Sequence, residues 1–158
     1  MSKWLNTTTH NHQSCISHAI KQAEEICLQR NQRFTQVRRQ VLEIIWQAHK
    51  PIGAYAVLEK LGASQGKHGV APPTVYRALD FLLELGLVHR INSLNAYTGC
   101  LDPKIGHQGQ FLICRHCSAV LELREPGIPK LIVQTATEQN FTVEQMVCEV
   151  LGVCPQCK

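Results

Sequence analysis

Four of the eight cysteines in this 158-residue chain form two C-x-x-C pairs, Cys114/Cys117 and Cys154/Cys157, with 36 residues between them. A two-residue spacer lets both sulfurs of a pair reach one ion, and two such pairs complete the tetrahedral thiolate shell that zinc favours. Because four thiolates leave no open coordination position, we expect a structural zinc ion and not a catalytic one. Two redox motifs are the alternative, but the second pair follows the last predicted strand instead of opening a βαβ unit.

A second set of metal-ligating residue types surrounds residues 102–109, a segment that contains glycine and proline. The set consists of His89, Cys100, His107 and Glu122. Two neutral imidazoles, one thiolate and one carboxylate suit zinc, and their charge of −2 neutralises a divalent ion. Each residue also has a plain alternative: a wing histidine, a small core cysteine, a loop histidine and a solvated strand carboxylate. From residue types alone, both interpretations stay open.

The first part of the chain carries apolar residues at helical spacing four times over, followed by two short segments of strand character. Thr35 can cap the second helix, and prolines open the fourth, where the first turn tolerates them. Small helices followed by a hairpin are typical of a winged helix-turn-helix. The predicted helices lie near 14–30, after Thr35, over 54–61 and from Pro72-Pro73 to Gly86; the strands cover 87–92 and 95–100 around a Ser93-Leu94 turn.

The remainder predicts a small α/β domain. We expect strands at 110–114 and 119–123, a helix near 127–140 and a strand over 141–151. The fold class is therefore α+β, with a winged-helix domain over 1–101 (ordered from about residue 14), a hinge at 102–109 and a small zinc-binding domain over 110–158, which the family resemblance given below implies is the dimerisation domain.

Composition is compatible with a packed core, since 44% of the residues are hydrophobic and 18% are charged. The net charge of +4 is weak support for DNA binding, but it divides into +5 for residues 1–91 and −1 for residues 92–158. The N-terminal residues lack an apolar signal segment, and no stretch approaches the length of a membrane span. We expect a cytoplasmic protein, in a reducing compartment where clustered cysteines act as metal ligands.

The fourth helix places Tyr76 and Arg77 in its first turns, opposite its apolar face, while Asp80 and Glu84 come later. Recognition helices contact bases with their N-terminal residues, and an arginine there can bond guanine through two hydrogen bonds. A solvated amphipathic helix is the alternative. The basic first part and the following hairpin favour DNA binding.

Several of these motifs together resemble a known family. Arg33-Phe-Thr-Gln, Ala54-Tyr55, Pro73-Thr-Val-Tyr-Arg77-Ala-Leu and the paired C-x-x-C motifs resemble the ferric uptake regulator superfamily of metal-responsive repressors. Within it, residues 72–84 followed by Val88-His89 are similar to the zinc uptake regulator branch. The resemblance runs from about Ile20 to Cys157.

The resemblance implies a homodimeric, zinc-responsive repressor that binds palindromic AT-rich operator DNA and controls zinc uptake genes, without a small-molecule substrate. It matches His89, Cys100, His107 and Glu122 to the regulatory zinc site, which makes two zinc ions per chain. Ligands from both sides of the hinge would let zinc fix the DNA-binding domain relative to the dimer core. The residues expected to contact DNA are Tyr55, Thr74, Tyr76, Arg77, Arg33, Arg38 and Lys67.

Other functions remain open at this stage. Iron-sensing relatives carry a histidine-rich run before the first C-x-x-C, whereas residues 107–113 contain one histidine; an iron, manganese or nickel sensor is still the nearest alternative. A zinc enzyme would need an open coordination position and a general base, and no His-Glu-x-x-His or His-x-Glu motif is present. A zinc-binding interaction module without a DNA role is the third alternative. Cys15, Cys27 and Cys148 are expected to serve packing, and His10 and His12 to lie in a polar tail.

Overall fold

The computed structural model of the chain describes residues 12–65, 70–105 and 109–158. Four helices come first, and the predicted winged-helix order is confirmed, because a two-stranded antiparallel sheet follows them. None of the helices in these ranges is both long and apolar enough to cross a membrane. The elements are α1 (His12–Gln29), α2 (Gln36–Gln47), α3 (Ala54–Gln65), α4 (Pro72–Glu84), β1 (Val88–Ile91) and β2 (Ala96–Gly99).

Local sequence explains where these elements begin and end. The Thr35 hydroxyl accepts a 3.5 Å hydrogen bond from the Arg38 backbone N–H and caps α2, as predicted. Helix α4 starts at Pro72 and is followed by Gly86, whose φ of +69° is a left-handed conformation that glycine adopts without steric cost. The apolar faces of the four helices meet in one core that includes Val41, Leu61, Leu79 and Leu82, each at most 1% exposed.

The wing comprises β1, β2 and the turn between them. Its strands pair in register from Val88 opposite Gly99 to Ile91 opposite Ala96. The connection is a 3₁₀ turn over Asn92–Leu94 closed by Asn95 at φ +46°, where a two-residue turn at Ser93-Leu94 was expected. Asparagine tolerates this left-handed conformation, which allows the longer turn.

The second sheet contains β3 (Gln110–Cys114), β4 (Val120–Leu123) and β5 (Cys148–Gly152), with helix α5 (Gly127–Glu138) between the last two strands in sequence. The strand order is β4-β3-β5; β4 pairs antiparallel to β3 and β5 pairs parallel to it. The predicted strand over 141–151 is wrong at its start. Strand β3 begins at Gln110, which pairs with Cys148, so residues 141–147 precede the ladder.

The wing packs directly on this second sheet. Ile91 at the end of β1 is 0% exposed and contacts a small cluster of Phe111, Ile113 and Val120, with Leu94 of the turn beside it. The contact places the wing next to β3 and β4.

Candidate metal centres and DNA-binding surface

The four-sulfur centre consists of Cys114, Cys117, Cys154 and Cys157. Cys114 ends β3 and Cys154 follows β5, and because these strands are parallel neighbours their carboxyl ends meet. The four sulfurs all lie within 4.8 Å of one another, and Cys117 Sγ is 3.7 Å from Cys154 Sγ. Four Zn–S bonds of about 2.3 Å in a tetrahedron place sulfurs about 3.8 Å apart. The spacing of the sulfurs therefore fits zinc.

Tight turns and backbone hydrogen bonds hold the four-sulfur centre. The Cys157 N–H donates to the Cys154 carbonyl at 3.0 Å, and the Cys154 N–H donates to Cys114 Sγ at 3.3 Å. The latter bond, with a second from the Cys117 N–H, lowers the pKa of Cys114 to about 6. Hydrogen bonding to Cys154 and Cys117 raises the pKa of Cys157 to about 12. Accumulating charge on four adjacent sulfurs is unfavourable until a cation neutralises it.

The hinge centre consists of His89, Cys100 and Glu122, whose ligand atoms also lie within 4.8 Å of one another. His89 is on β1, Cys100 directly follows β2, and Glu122 is on β4, so the ligands come from both the wing and the second sheet. His89 Nε2 lies 3.1 Å from Glu122 Oε1. His107, the fourth residue of the predicted set, lies outside the described residues.

Burial removes one of the plain alternatives for the hinge centre. Glu122 is 8% exposed and Cys100 is 2% exposed, so Glu122 is not a solvated strand carboxylate. Burial, together with the negative charge of Glu122, raises the pKa of Cys100 to about 12. A carboxylate and a thiol held out of water around one point form a donor set that a divalent cation would neutralise.

Two glycines allow the close packing around the hinge centre. A Cβ atom at Gly99 would lie 2.6 Å from Trp46 Nε1 of α2, so β2 can approach that helix only without a side chain at this position. A Cβ atom at Gly109 would lie 3.0 Å from His89 Nδ1 and would overlap the Phe111 ring. Phe111 in turn meets the imidazole of His89 edge-on, with ring centroids 5.4 Å apart.

The predicted DNA-binding residues at the starts of α3 and α4 are mostly exposed. Tyr55 is 75% exposed and Tyr76 is 42% exposed; Arg77 is also exposed, whereas Thr74 is half-buried. Tyr55 and Tyr76 line a groove of about 390 Å³ that the wing closes with Arg90. Arg90 was not among the residues predicted from the sequence to contact DNA; it is the exposed residue of β1, whose end residues Val88 and Ile91 are buried.

The remaining basic candidates differ in their environment. Arg33 is exposed, but the guanidinium of Arg38 lies 3.4 Å from the centroid of the Phe81 ring and donates a hydrogen bond to the Arg33 carbonyl. Arg38 thus has an intramolecular role that its charge did not reveal. Lys67 lies outside the described residues.

The three other cysteines belong to neither metal-ligand cluster. Cys27 is 2% exposed in the helical core, which confirms its packing role. Cys15 and Cys148 are half-buried, so Cys148 is less enclosed than expected. His10 lies outside the described residues, and His12 begins α1.

Comparison with known proteins gives a consistent result. The chain is 39% identical over 139 residues, covering 87% of this chain and 80% of the relative, to the zinc uptake regulation protein of Escherichia coli strain K12. Among solved structures, it resembles a zinc uptake regulator complexed with zinc and DNA at 38% identity and a TM-score of 0.82, covering 90% of this chain and 94% of that one.

The holo and apo crystal structures of XcZur differ in their similarity to this chain. The holo form matches at 36% identity with a TM-score of 0.81, covering 90% of this chain and 97% of its own. The apo form matches at 34% identity, covering 91% and 98%, but with a TM-score of only 0.55. The fold described above therefore resembles the holo arrangement more than the apo arrangement.

The ferric uptake regulator family model matches residues 29–151, a range that includes the hinge centre, the predicted recognition helix and the first C-x-x-C pair. The chain belongs to the ferric uptake regulator family.

Proposed function

We propose that this protein is a zinc-responsive transcriptional repressor, which binds palindromic AT-rich operator DNA as a homodimer and controls zinc uptake genes. The observation that carries the proposal is the hinge centre, because its ligands join the wing to the second sheet. Relatives named as zinc uptake regulators, including one solved with zinc and DNA, support the choice of metal and partner.

Each chain would bind two zinc ions. Cys114, Cys117, Cys154 and Cys157 would hold the structural ion, which ties the end of β3 to the segment after β5. His89, Cys100, Glu122 and His107 would hold the regulatory ion. When bound, this ion supplies Lewis-acid attraction to ligands on two separate elements. Such closed coordination serves to hold a conformation, since it leaves no position for a substrate.

The chain would divide into a DNA-binding domain over 1–101, a hinge over 102–109 and a dimerisation domain over 110–158. With this division, metal binding at the hinge would change how the DNA-binding domain is positioned. His89 and Cys100 move with the wing, whereas Glu122 moves with the second sheet. Drawing the three together restricts the positions of the DNA-binding domain. The different match to holo and apo XcZur, at nearly the same identity and coverage, supports a change of arrangement of this kind.

The free energy required is moderate. Moving a two-state equilibrium from 1:99 to 99:1 takes about 5.5 kcal/mol of differential metal affinity. A site of one thiolate, one carboxylate and imidazoles can supply this free energy, because structural zinc sites bind zinc with about 10–16 kcal/mol.

DNA contacts would come from the exposed surface at the starts of α3 and α4. Arg77 is placed to read a base edge, and Tyr55 and Tyr76 to contact phosphate or a thymine methyl. Arg90 extends this surface onto the wing. The contacting set is Tyr55, Thr74, Tyr76, Arg77, Arg33, Arg38 and Lys67, with Arg90 added.

An exposed apolar face supports pairing of the second domains. Helix α5 has no buried residue among those described, and Leu131 is 64% exposed although the helix is rich in apolar residues. Phe141 and Val150 are 65% and 51% exposed on the same part of the chain. Large apolar side chains left exposed in this number are typical of an interface, and a second copy of the chain would bury them.

Binding to a palindromic AT-rich duplex, titrated with buffered zinc, iron and manganese, tests the function. We expect binding at the lowest free concentration for zinc, with a stoichiometry of two chains per palindrome, and two zinc atoms per chain by elemental analysis. If iron or manganese promotes operator binding at a lower free concentration than zinc does, that ion is the regulatory metal. Operator binding that is the same with and without metal, or the absence of operator binding, would refute the regulatory role.

A further inference from the structure

We propose that Glu149 is a positioning residue that sets the angle of the wing relative to the second domain through a contact separate from the metal ligands. The carboxylate of Glu149, on β5, receives two backbone hydrogen bonds from the tip of the wing, more than fifty residues earlier in the chain. Its consequence for DNA binding rests on the function proposed above, whereas the contact itself can be tested separately.

The geometry is that of a helix cap supplied by another domain. Glu149 Oε1 accepts from the Asn92 N–H at 2.6 Å, and Oε2 accepts from the Ser93 N–H at 2.9 Å. These residues begin the 3₁₀ turn of the wing, and Ile91, at the N-cap position, supplies no side-chain hydrogen bond. The first donors of a helical turn need an acceptor, and the two oxygens of a carboxylate can accept from both N–H groups at once.

The sheet holds Glu149 in place for this contact. Glu149 pairs with Phe111 in the parallel ladder of β3 and β5, so its backbone is fixed in the second domain. Partial burial raises the pKa of Glu149, but the hydrogen bonds from Ser93 and Asn92 outweigh this effect and leave the pKa below its ordinary value. The carboxylate is therefore ionised when it receives the two bonds.

Two separate connections on one strand determine its direction. Strand β1 is joined to the second domain at His89, through Glu122, and three residues later at the wing tip, through Glu149. Three residues of strand span about 10 Å. Because the strand is held at both His89 and Asn92, it cannot pivot about one contact without breaking the other. Ile91 also makes an apolar contact with the second sheet, but the hydrophobic attraction behind that contact is non-directional.

A cleft of about 510 Å³ lies beside this strand. Its lining includes His89, Asn92, Met146 and Glu149. The side of the wing that faces residues 145–147 is thus separated from them by open space, and the Glu149 carboxylate crosses the gap. Without Glu149, the hinge centre would hold the base of β1 but leave its tip less restricted.

We therefore expect loss of Glu149 to weaken the coupling between zinc and DNA more than it weakens zinc binding itself. With saturating zinc, operator affinity should fall about tenfold. Zinc affinity of the DNA-free protein should change less than twofold. Coupling is reciprocal, so when operator affinity without zinc is unchanged, the factor by which operator DNA tightens zinc binding should fall by the same tenfold.

The test uses the full chain with Glu149→Gln and Glu149→Ala, and Glu144→Gln as the matched control. Glu144 is an exposed acid of the same domain, so its substitution makes the same change of charge. Glutamine keeps the shape of the side chain but turns an amide donor toward one of the two N–H groups. Three measurements are made: amide hydrogen exchange at Asn92 and Ser93 by NMR, operator affinity by fluorescence anisotropy, and zinc affinity with and without DNA.

Faster exchange at Asn92 and Ser93 in both Glu149 variants, with reduced coupling and a normal Glu144→Gln protein, supports the proposal. Unchanged exchange at the two amides would overturn it. So would an unchanged coupling factor accompanied by parallel loss of zinc affinity and thermal stability, because that pattern describes a merely structural residue. Failure of the proposed function is distinguishable, since the unsubstituted protein would then lack zinc-dependent operator binding while the exchange measurement still decides the contact.

Discussion

Replacing Cys100 with serine tests the hinge centre while changing a single atom. Cys100 is 2% exposed and lies with His89 and Glu122 in a cluster of ligand atoms no more than 4.8 Å apart. A serine hydroxyl occupies nearly the same space, but it keeps its proton at neutral pH. Cys100→Ser therefore removes one of the two negative charges and the soft donor from the proposed zinc site.

The size of the effect follows from the coupling free energy. If zinc supplies about 5.5 kcal/mol of differential affinity and four ligands share it evenly, one ligand accounts for about 1.4 kcal/mol, a factor of ten. The thiolate carries a full charge in a buried site, so its share exceeds the average. We expect the free zinc concentration for half-maximal operator binding to rise at least tenfold, and about a hundredfold if the thiolate carries twice an even share.

Cys27→Ser is the matched control, because Cys27 is also 2% exposed but lies in the helical core. Both substitutions place a hydroxyl where a thiol was buried, at a cost of about 1–3 kcal/mol of unfolding free energy. Thermal denaturation should report a similar loss for both. Operator binding in buffered zinc, measured by fluorescence anisotropy below the lower melting temperature, should separate them.

We expect Cys27→Ser to retain the zinc dependence of the unsubstituted protein, while Cys100→Ser requires far more zinc. If Cys100→Ser binds operator at the same free zinc concentration as Cys27→Ser, the hinge mechanism is wrong. If both lose the response equally, instability and not coordination explains the effect, and the assignment of Cys100 as a ligand fails.

Three further predictions concern stability and DNA binding. Gly99→Ala should destabilise the protein by about 1–3 kcal/mol in chemical denaturation, because its Cβ would press on Trp46; Gly62→Ala, in a helix where a Cβ meets nothing within 4 Å, should stabilise it by about 0.5–1 kcal/mol. Arg77→Ala should weaken operator binding by about 1–3 kcal/mol and relax base preference within each half-site, and an equal loss on every sequence would instead indicate a phosphate contact. Burial raises the pKa of Cys27 above its ordinary 9.0, so the unfolded chain ionises first and stability should fall as pH rises above 9; Cys27→Ala should remove that part of the alkaline loss in denaturation curves measured from pH 8 to 10.

The order of the helices and the wing was predictable because local signals specify it. The Thr35 cap, the prolines that open α4 and the glycine after it each act within a few residues. The final strand was not placed correctly at its start. The mixed apolar and polar residues that follow Phe141 are compatible with extended structure, but only pairing with β3 decides that the ladder begins at Cys148.

The four-sulfur centre could be predicted because two C-x-x-C pairs carry their geometry in their spacing. The hinge centre could be predicted only as a set of residue types, since each member has an ordinary alternative and the family resemblance selected among them. The fold brings His89, Cys100 and Glu122 together, and the burial of Glu122 to 8% exposure removes its alternative.

The sequence by itself determined the ligand types, the helical order and the separation of a basic first part from a thiol-rich second part, because these depend on residue identity and short-range spacing. Tertiary structure alone decided which groups meet across long separations in the chain. Glu149 is the clearest example: nothing near it in sequence indicates a partner, yet the parallel pairing of β3 and β5 places its carboxylate at the two N–H groups of the wing tip. The physical reason is that backbone donors look alike in every sequence, so only the folded path of the chain selects which ones a carboxylate receives.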